Sequence, residues 1–129
     1  MQSSDILHLS KLLYASVDPH DRPMLNNIVG RTYYSCFHKL QEVACWKLQW
    51  PESTEIKGGT HEKMISRLDN HDQTDPQKLK LIAQIKKDLI LLKKKRVNAD
   101  YYLDVITTKL DVNYCIATAD KLFERLDSM

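Results

Sequence analysis

The chain has 129 residues, which is enough for one domain with a hydrophobic core of its own. Three glycines and four prolines amount to less than half of the usual share of about 12% for these two residues. Such a chain lacks the turn-forming residues of a β-sandwich or β-barrel, so we expect a helical domain. A net charge of +2 is too balanced to indicate nucleic-acid binding by itself.

The cysteine pattern and the lack of a signal peptide predict the cellular compartment. Cys36, Cys45 and Cys115 form no CxxC pair and each lies in an apolar stretch, which is typical of free thiols in a reducing cytosol. The first 16 residues lack the basic start and apolar centre of a signal peptide. Apolar runs are shorter than the roughly 18 residues of a membrane span. We therefore expect a cytoplasmic protein without membrane contact.

The four prolines divide the chain into amphipathic segments, because proline interrupts helix interiors. Helices are predicted over residues 4–16, 23–49, 61–70, 76–98 and 111–127, with a loop over 50–59 and either helix or loop over 99–110. Ser4, Thr60 and Asp111 are predicted helix caps, and Asp75 with Pro76 is predicted to begin the fourth helix. The expected fold is an all-α antiparallel bundle of about five helices, one domain over residues 1–129. The residues expected to form the core stripes are, in chain order, Ile6, Leu9, Leu13 and Val17; Tyr33, Phe37, Leu40 and Ala44; Met64, Ile65 and Leu68; Leu79, Ile82, Ile85, Leu89 and Leu92; and Val112, Ile116, Ala119, Phe123 and Leu126.

Arg96 continues the apolar stripe of the fourth helix, one step beyond Leu92. A charge in a buried stripe is costly without a partner, so a partner is expected there. The alternative is that Arg96 lies in the last helical turn, where the helix dipole favours a cation whose long side chain reaches water. The neighbouring lysines at 93, 94 and 95 form either a solvated face or a contact surface for phosphates.

A second cluster lies in the second helix, where Arg31, Tyr34 and His38 share one face. That face is expected either to form a half-buried polar site or to hold a structural histidine. His61, beside Met64, is expected to be structural as well. The histidine spacing predicts no metal site, and without a glycine-rich phosphate loop we expect no cofactor.

Three segments resemble the HEPN superfamily, and in particular its small stand-alone bacterial and archaeal branch. They are Tyr33-Tyr34-x-x-Phe37-His38, Thr60-His61, and Arg96-x-x-Ala99-Asp100-Tyr101. The resemblance covers residues 24–128 and implies a helical domain that commonly dimerises. Many HEPN domains are metal-independent endoribonucleases of toxin–antitoxin, CRISPR or other antiphage systems. Others are silent binding modules, and many act beside a minimal nucleotidyltransferase.

The nuclease form of the family has an arginine followed, after four to six residues, by a histidine late in the chain. Here Tyr101 stands at the first permitted position after Arg96, and the next two positions are Tyr102 and Leu103. Tyrosine, with an ordinary pKa near 10, is a poor general base at neutral pH. Arg31 and His38 match the spacing but lie in the second helix, so we interpret that match as accidental. The resemblance and the helical faces together predict a catalytic set of Arg96, Asp100, Tyr101 and His38, and a nucleic-acid- or nucleotide-binding set of Lys93, Lys94, Lys95, Arg31, Tyr34 and Asn98.

The leading hypothesis is a HEPN-family protein of a prokaryotic toxin–antitoxin or antiviral system that acts on or binds RNA or nucleotides, as a homodimer. Metal-independent RNA cleavage is one form of that activity. The alternative is a non-catalytic interaction module, an adaptor or dimerisation subunit of a nucleotidyltransferase or defence effector. Tyr101 or Tyr102 would then be a site where a partner attaches AMP. A third interpretation is a bundle without a ligand, whose polar seam is structural.

Overall fold

The computed structural model describes residues 1–53, 58–101 and 104–129. The helices are α1 (Ser3–Ser16), α2 (Arg22–Leu40), α3 (Thr60–Ser66), α4 (Pro76–Tyr101) and α5 (Lys109–Asp127). A π-helical segment, Gln41–Lys47, continues α2, and a 3₁₀ turn, Arg67–Asp69, continues α3. Since the described ranges contain no strand, the predicted all-α fold of about five helices is confirmed.

Helix α2 is the centre of the bundle, since α1, α4 and α5 all pack against it. Its predicted stripe is correct: Tyr33, Leu40 and Ala44 have no exposed surface, and Phe37 is 8% exposed. The stripes of α3, α4 and α5 are also buried as predicted, apart from Phe123, which is half-buried, and Leu79, which is 40% exposed. Leu79 lies in the first turn of α4, before the part of that helix that packs against the core.

The predicted buried face of α1 is wrong except at Val17, which is 8% exposed. Ser3, Leu7 and Ser10 are the buried residues of this helix, whereas the predicted Ile6, Leu9 and Leu13 are only half-buried. Small serine side chains let α1 approach α2 closely. Ser3 satisfies its polar groups by donating its backbone N–H and its hydroxyl to the carboxylate of Glu42, at 2.9 and 2.7 Å. A pattern of apolar residues does not reveal such a face.

The end of the predicted second helix differs from an α-helix. In the π-helical segment the hydrogen bonds span five residues, and the N–H of Leu48 donates to the carbonyl of Val43 at 2.8 Å. Gln49 then adopts a left-handed φ of 55°, which turns Trp50 back into the core at 5% exposure. Trp46 points the other way and is 62% exposed.

Three predicted caps lie one to three residues from the observed ones. Helix α1 begins after Gln2 instead of Ser4, and α3 begins after Gly59 instead of Thr60. Thr108 is the N-cap of α5: its hydroxyl accepts from the N–H of Asp111, whose carboxylate accepts from the N–H of Thr108. The acidic residue thus completes a capping box from inside the helix.

The stretch 99–110, for which helix or loop was expected, is helical at its start and non-helical further on. Helix α4 runs on to Tyr101, and residues 104–108 are not helical. Residues 54–57 of the predicted 50–59 loop, and Tyr102 as a predicted modification site, lie outside the described residues. All three cysteines have free thiols, with Cys36 and Cys115 buried and Cys45 partly so. Within the described ranges, every helix is too short or too polar to cross a membrane.

Candidate phosphate site

Three segments that are distant in the chain meet around the guanidinium of Arg96. Its side chain is 15% exposed, and its Nε donates to Asp100 Oδ2 at 3.1 Å. Its Nη2 donates to the hydroxyl of Tyr34 at 3.3 Å. The Cζ atom lies 5.8 Å from the ring centre of Tyr33 and 5.2 Å from that of Tyr34. We call Arg96, Asp100, Tyr33, Tyr34 and His61 the arginine cluster.

The surroundings of Arg96 explain how a charge occupies a core stripe. Asp100, one turn further along α4, supplies the partner that burial requires, and two tyrosine rings cover the guanidinium. A guanidinium has five N–H donors, and these contacts use two of them. The other donors have no protein partner within the described residues. Arg96 therefore has unused donors for an anionic ligand.

The hydrogen bond between Tyr33 and His61 determines which ring nitrogen of neutral His61 carries the proton. Tyr33 has no exposed surface, and its hydroxyl lies 2.7 Å from Nδ1 of His61. Burial raises the pKa of Tyr33 well above its ordinary value, so the phenol keeps its proton and needs an acceptor. A buried donor without an acceptor costs about 1–3 kcal/mol. We therefore assign Tyr33 as donor to Nδ1, which leaves the proton of neutral His61 on Nε2.

The surroundings of His61 lower its pKa and so favour the neutral imidazole. Partial burial is the largest cause that lowers its pKa, and the positive charges of Arg96 and Lys93 lower it further. Beside it, Glu62 and Lys93 form an ion pair between α3 and α4, and the Lys93 hydrogen bond is the main cause that lowers the pKa of Glu62. A neutral histidine in this tautomer is a hydrogen-bond donor at Nε2. The cluster is thus chemically suited to bind an oxyanion.

The predicted catalytic set assembles only in part. Arg96 and Asp100 pair as described, but Tyr101 is 69% exposed and makes none of the contacts of the arginine cluster. His38 is half-buried and lies beside Tyr34, with their ring centres 6.5 Å apart, but it makes no hydrogen bond to Arg96 or Asp100. The histidine that packs against Tyr33 is His61, with ring centres 5.5 Å apart.

The predicted nucleic-acid- or nucleotide-binding residues lie on several faces of the protein. Tyr34 belongs to the arginine cluster and Lys93 lies at its edge, while Lys94 is exposed. Lys95 faces α5, with its Nζ 3.9 Å from a carboxylate oxygen of Asp111. The remaining two are placed as follows: Asn98 lines a cavity of about 190 Å³ with Lys95 and Cys115, and Arg31 is exposed and donates from Nε to Asn27 at 3.0 Å.

Two residues of the cluster, Tyr33 and His61, were assigned no role beyond structure by sequence reasoning, and of these His61 is the one that offers a free donor. The available signal was its place in the Thr60-His61 segment of the HEPN resemblance. Its helical neighbours Met64 and Ile65 are buried, as a structural histidine would predict, so local pattern did not distinguish the two roles. Across the described parts of the chain, no group of three or more His, Cys, Asp or Glu side chains could hold a metal ion.

No protein-family profile, no curated protein and no solved structure matches this chain. The features that bear on function are therefore the chemistry of the arginine cluster and the three segments that resemble HEPN proteins. Those segments contribute Tyr33 and Tyr34, His61, and Arg96 with Asp100, which are the residues in mutual contact.

Proposed function

We propose that this chain is a HEPN-like protein of a prokaryotic toxin–antitoxin or antiviral system that binds RNA through a phosphate at the arginine cluster. The observation that supports this most directly is the proximity of three side chains from three separate helices: Arg96 donates to the Tyr34 hydroxyl, and the ring centres of Tyr34 and His61 lie 6.1 Å apart. The three segments of the resemblance are also the segments that meet there, which a chance match in sequence does not require.

A phosphate presents only acceptor oxygens at neutral pH, so a site built from donors suits it. Arginine binds phosphate with two parallel hydrogen bonds from the edge of the guanidinium. Asp100 holds Nε and thereby orients that edge. The Nε2–H of His61 and the hydroxyl of Tyr34 are the further donors at this site.

RNA cleavage by this site would need a group that takes the proton of a 2′-hydroxyl. The unprotonated nitrogen of His61 is its Nδ1, which is occupied by the buried hydroxyl of Tyr33. His61 is thus a donor and not a general base. We therefore expect RNA binding without cleavage at the arginine cluster.

The test is fluorescence anisotropy of a fluorescein-labelled single-stranded RNA titrated with wild type and with Arg96→Met. Methionine keeps the packing of the arginine stem but removes the charge. Loss of charged hydrogen bonds worth about 1.5–3 kcal/mol predicts a weakening of roughly 10- to 100-fold. The slope of log binding constant against log salt concentration is expected to decrease by the equivalent of about one phosphate contact.

The matched control is Arg22→Met, which removes the same charge from an exposed arginine at the start of α2. We expect this variant to bind RNA within about twofold of wild type, because an exposed distant charge contributes little. Equal losses in the two variants would show general electrostatic attraction and would refute a site at Arg96. Gel analysis of the same RNA after incubation detects cleavage.

A second candidate function, the interaction module, is favoured by a separate surface. Four large apolar residues near the junction of α4 and α5 are exposed: Tyr101 by 69%, Ile106 by 63%, Leu110 by 77% and Tyr114 by 50%. Apolar surface of this kind is typical of interaction sites. We infer that a second copy of the chain covers it. A partner nucleotidyltransferase or defence effector is the alternative occupant.

Sedimentation velocity of wild type and of Leu110→Glu tests the homodimer. Leu110→Glu is expected to sediment as a monomer, while Leu12→Glu, which charges a 55% exposed leucine on α1, retains the wild-type state. A monomeric wild type would refute self-association.

A further inference from the structure

We infer that the groove beside the arginine cluster is a nucleobase-binding site, in which a base of the bound RNA stacks on Trp46 while the RNA phosphate lies at Arg96. The inference rests on the proposed RNA binding, and it assigns the groove as a second site that binds a base of the same strand. The groove lies between the start of α1 and the π-helical end of α2, and its lining residues are Met1, Gln2, Ile6, His38, Glu42 and Trp46.

The groove has the volume of a small-molecule site. Its volume is about 620 Å³, within the range of roughly 300–1,000 Å³ that ligand pockets usually have. Both oxygens of Glu42 accept hydrogen bonds from Ser3, from its backbone N–H at 2.9 Å and its hydroxyl at 2.7 Å. These bonds join the start of α1 to the π-helical end of α2, the two elements between which the groove lies.

Trp46 provides an aromatic surface that the core does not use. Trp46 is 62% exposed, whereas Trp50, the other tryptophan, is 5% exposed. Exposed aromatic rings bind single-stranded RNA because every base offers a flat face for stacking. His38 lies in the same groove and adds a second ring.

The charge in the groove favours a base over a phosphate. The carboxylate of Glu42 lines the groove and repels a phosphate there. Carboxylates accept hydrogen bonds from the amino groups of bases. A base with an amino group, such as adenine, therefore suits the groove, while the phosphate is directed to Arg96.

Tyr34 connects the groove to the arginine cluster. Its ring centre is 5.2 Å from Cζ of Arg96 and 6.5 Å from the ring centre of His38. The distance from Cζ of Arg96 to the ring centre of His38 is therefore at most the sum of these two distances. Along a single strand phosphates and bases alternate at short intervals, so a strand whose phosphate lies at Arg96 places a neighbouring base in the groove beside His38.

The two tryptophans make the groove testable by fluorescence with a ten-residue oligoadenylate RNA. Binding is expected to quench Trp46. Trp50→Phe leaves Trp46 as the only tryptophan and is expected to show the full change, whereas Trp46→Phe is expected to show none. Inorganic polyphosphate, which has charge but no bases, is expected to displace the RNA without quenching Trp46.

Affinity gives the second measurement. Trp46→Ala is expected to weaken oligoadenylate binding about tenfold, because base stacking on an aromatic ring is lost. Leu12→Ala, an exposed apolar residue outside the groove, is the control and is expected to bind as wild type.

The outcomes separate the two proposals. Oligoadenylate binding that depends on Arg96 but neither quenches Trp46 nor weakens in Trp46→Ala would refute the groove and leave the phosphate site standing. Quenching by polyphosphate equal to that by RNA would also refute stacking. A wild type that binds no RNA would refute both proposals.

Discussion

The hydroxyl of Tyr33 lies 2.7 Å from Nδ1 of His61 and joins two residues 28 positions apart. Tyr33 is fully buried on α2, and His61 stands in the first turn of α3. The bond anchors α3 on the central helix and determines which nitrogen of His61 carries a proton. A structural contact inside the core thus determines the chemistry that the histidine offers at the surface.

Tyr33→Phe removes this bond and is expected to lower the free energy of unfolding by about 1 kcal/mol, measured by urea denaturation. Without the phenol donor, Nδ1 of His61 faces solvent or takes up the proton itself. Nitrogen-15 NMR of the imidazole is therefore expected to show the Nε2–H form in wild type and a mixture of tautomers in the variant. Identical ring-nitrogen shifts in the two proteins would contradict the assignment of Tyr33 as donor.

The stability of the protein is expected to depend on pH through His61. Its pKa in the folded chain is below the ordinary 6.5, chiefly because of burial. Between those two values the unfolded chain binds more protons than the folded chain, so acid favours unfolding. The contribution of His61 is complete above about pH 6.5 and is lost as the pH falls towards the folded-state value.

His61→Gln is accordingly expected to show a smaller loss of unfolding free energy than wild type when the pH falls from about 7 to about 5. Urea denaturation at each pH measures the difference. His20→Gln, which changes an exposed histidine between α1 and α2, is expected to follow the wild-type curve. A His61→Gln curve parallel to that of wild type would show that this histidine is not linked to folding.

Asp100→Asn is expected to tighten RNA binding by roughly two- to fivefold, the effect of an exposed charge pair worth about 0.4–1 kcal/mol. The amide oxygen still accepts from Nε of Arg96, but the negative charge beside the bound phosphate is gone. Anisotropy titrations of the labelled RNA measure the change. Asp18→Asn removes one charge from an exposed turn and is the control. Weaker binding by Asp100→Asn would mean that the carboxylate itself is needed to hold Arg96.

The three thiols are expected to differ in reactivity. Cys36 and Cys115 have no exposed surface, and burial raises their pKa values to about 12 and about 11. Because the thiolate is the reactive form, iodoacetamide at about pH 8 is expected to label Cys45 first in the folded protein. Peptide mass spectrometry follows each site, and labelling in denaturing guanidinium provides the reference rates. Native labelling of Cys36 as fast as Cys45 would contradict the burial.

The spacing of apolar residues correctly predicted the buried face of those helices in which that face is made of apolar side chains. The stripe Ile82, Ile85, Leu89 and Leu92 is buried as expected, because these residues share a face over about three turns of α4. Extending that stripe by one step also predicted that Arg96 is partly buried and has a partner for its charge. The buried face of α1 was not predictable in this way, because Ser3 and Ser10 are buried through close packing and hydrogen bonding, which hydropathy does not record.

The composition of the site depended on tertiary structure. Helical spacing placed Tyr34 and His38 on one face of α2 and suggested His38 as the histidine of the site. Packing of α3 against α2 instead brings His61 into contact with Tyr33, next to Arg96. A contact between side chains from two helices depends on how those helices cross, and residue spacing within either helix does not contain that angle.

The sequence by itself determined that the chain is helical, where most helices lie, and that Arg96 occupies a core stripe, because these properties follow from interactions within a few turns. The tertiary structure alone decided that Tyr34 and Tyr33 cover that arginine and that His61 lies against Tyr33, whose hydroxyl donates to Nδ1 and leaves the histidine proton on Nε2. Partners, burial and pKa depend on atoms brought together from distant parts of the chain, and only the packed bundle brings them within hydrogen-bonding distance.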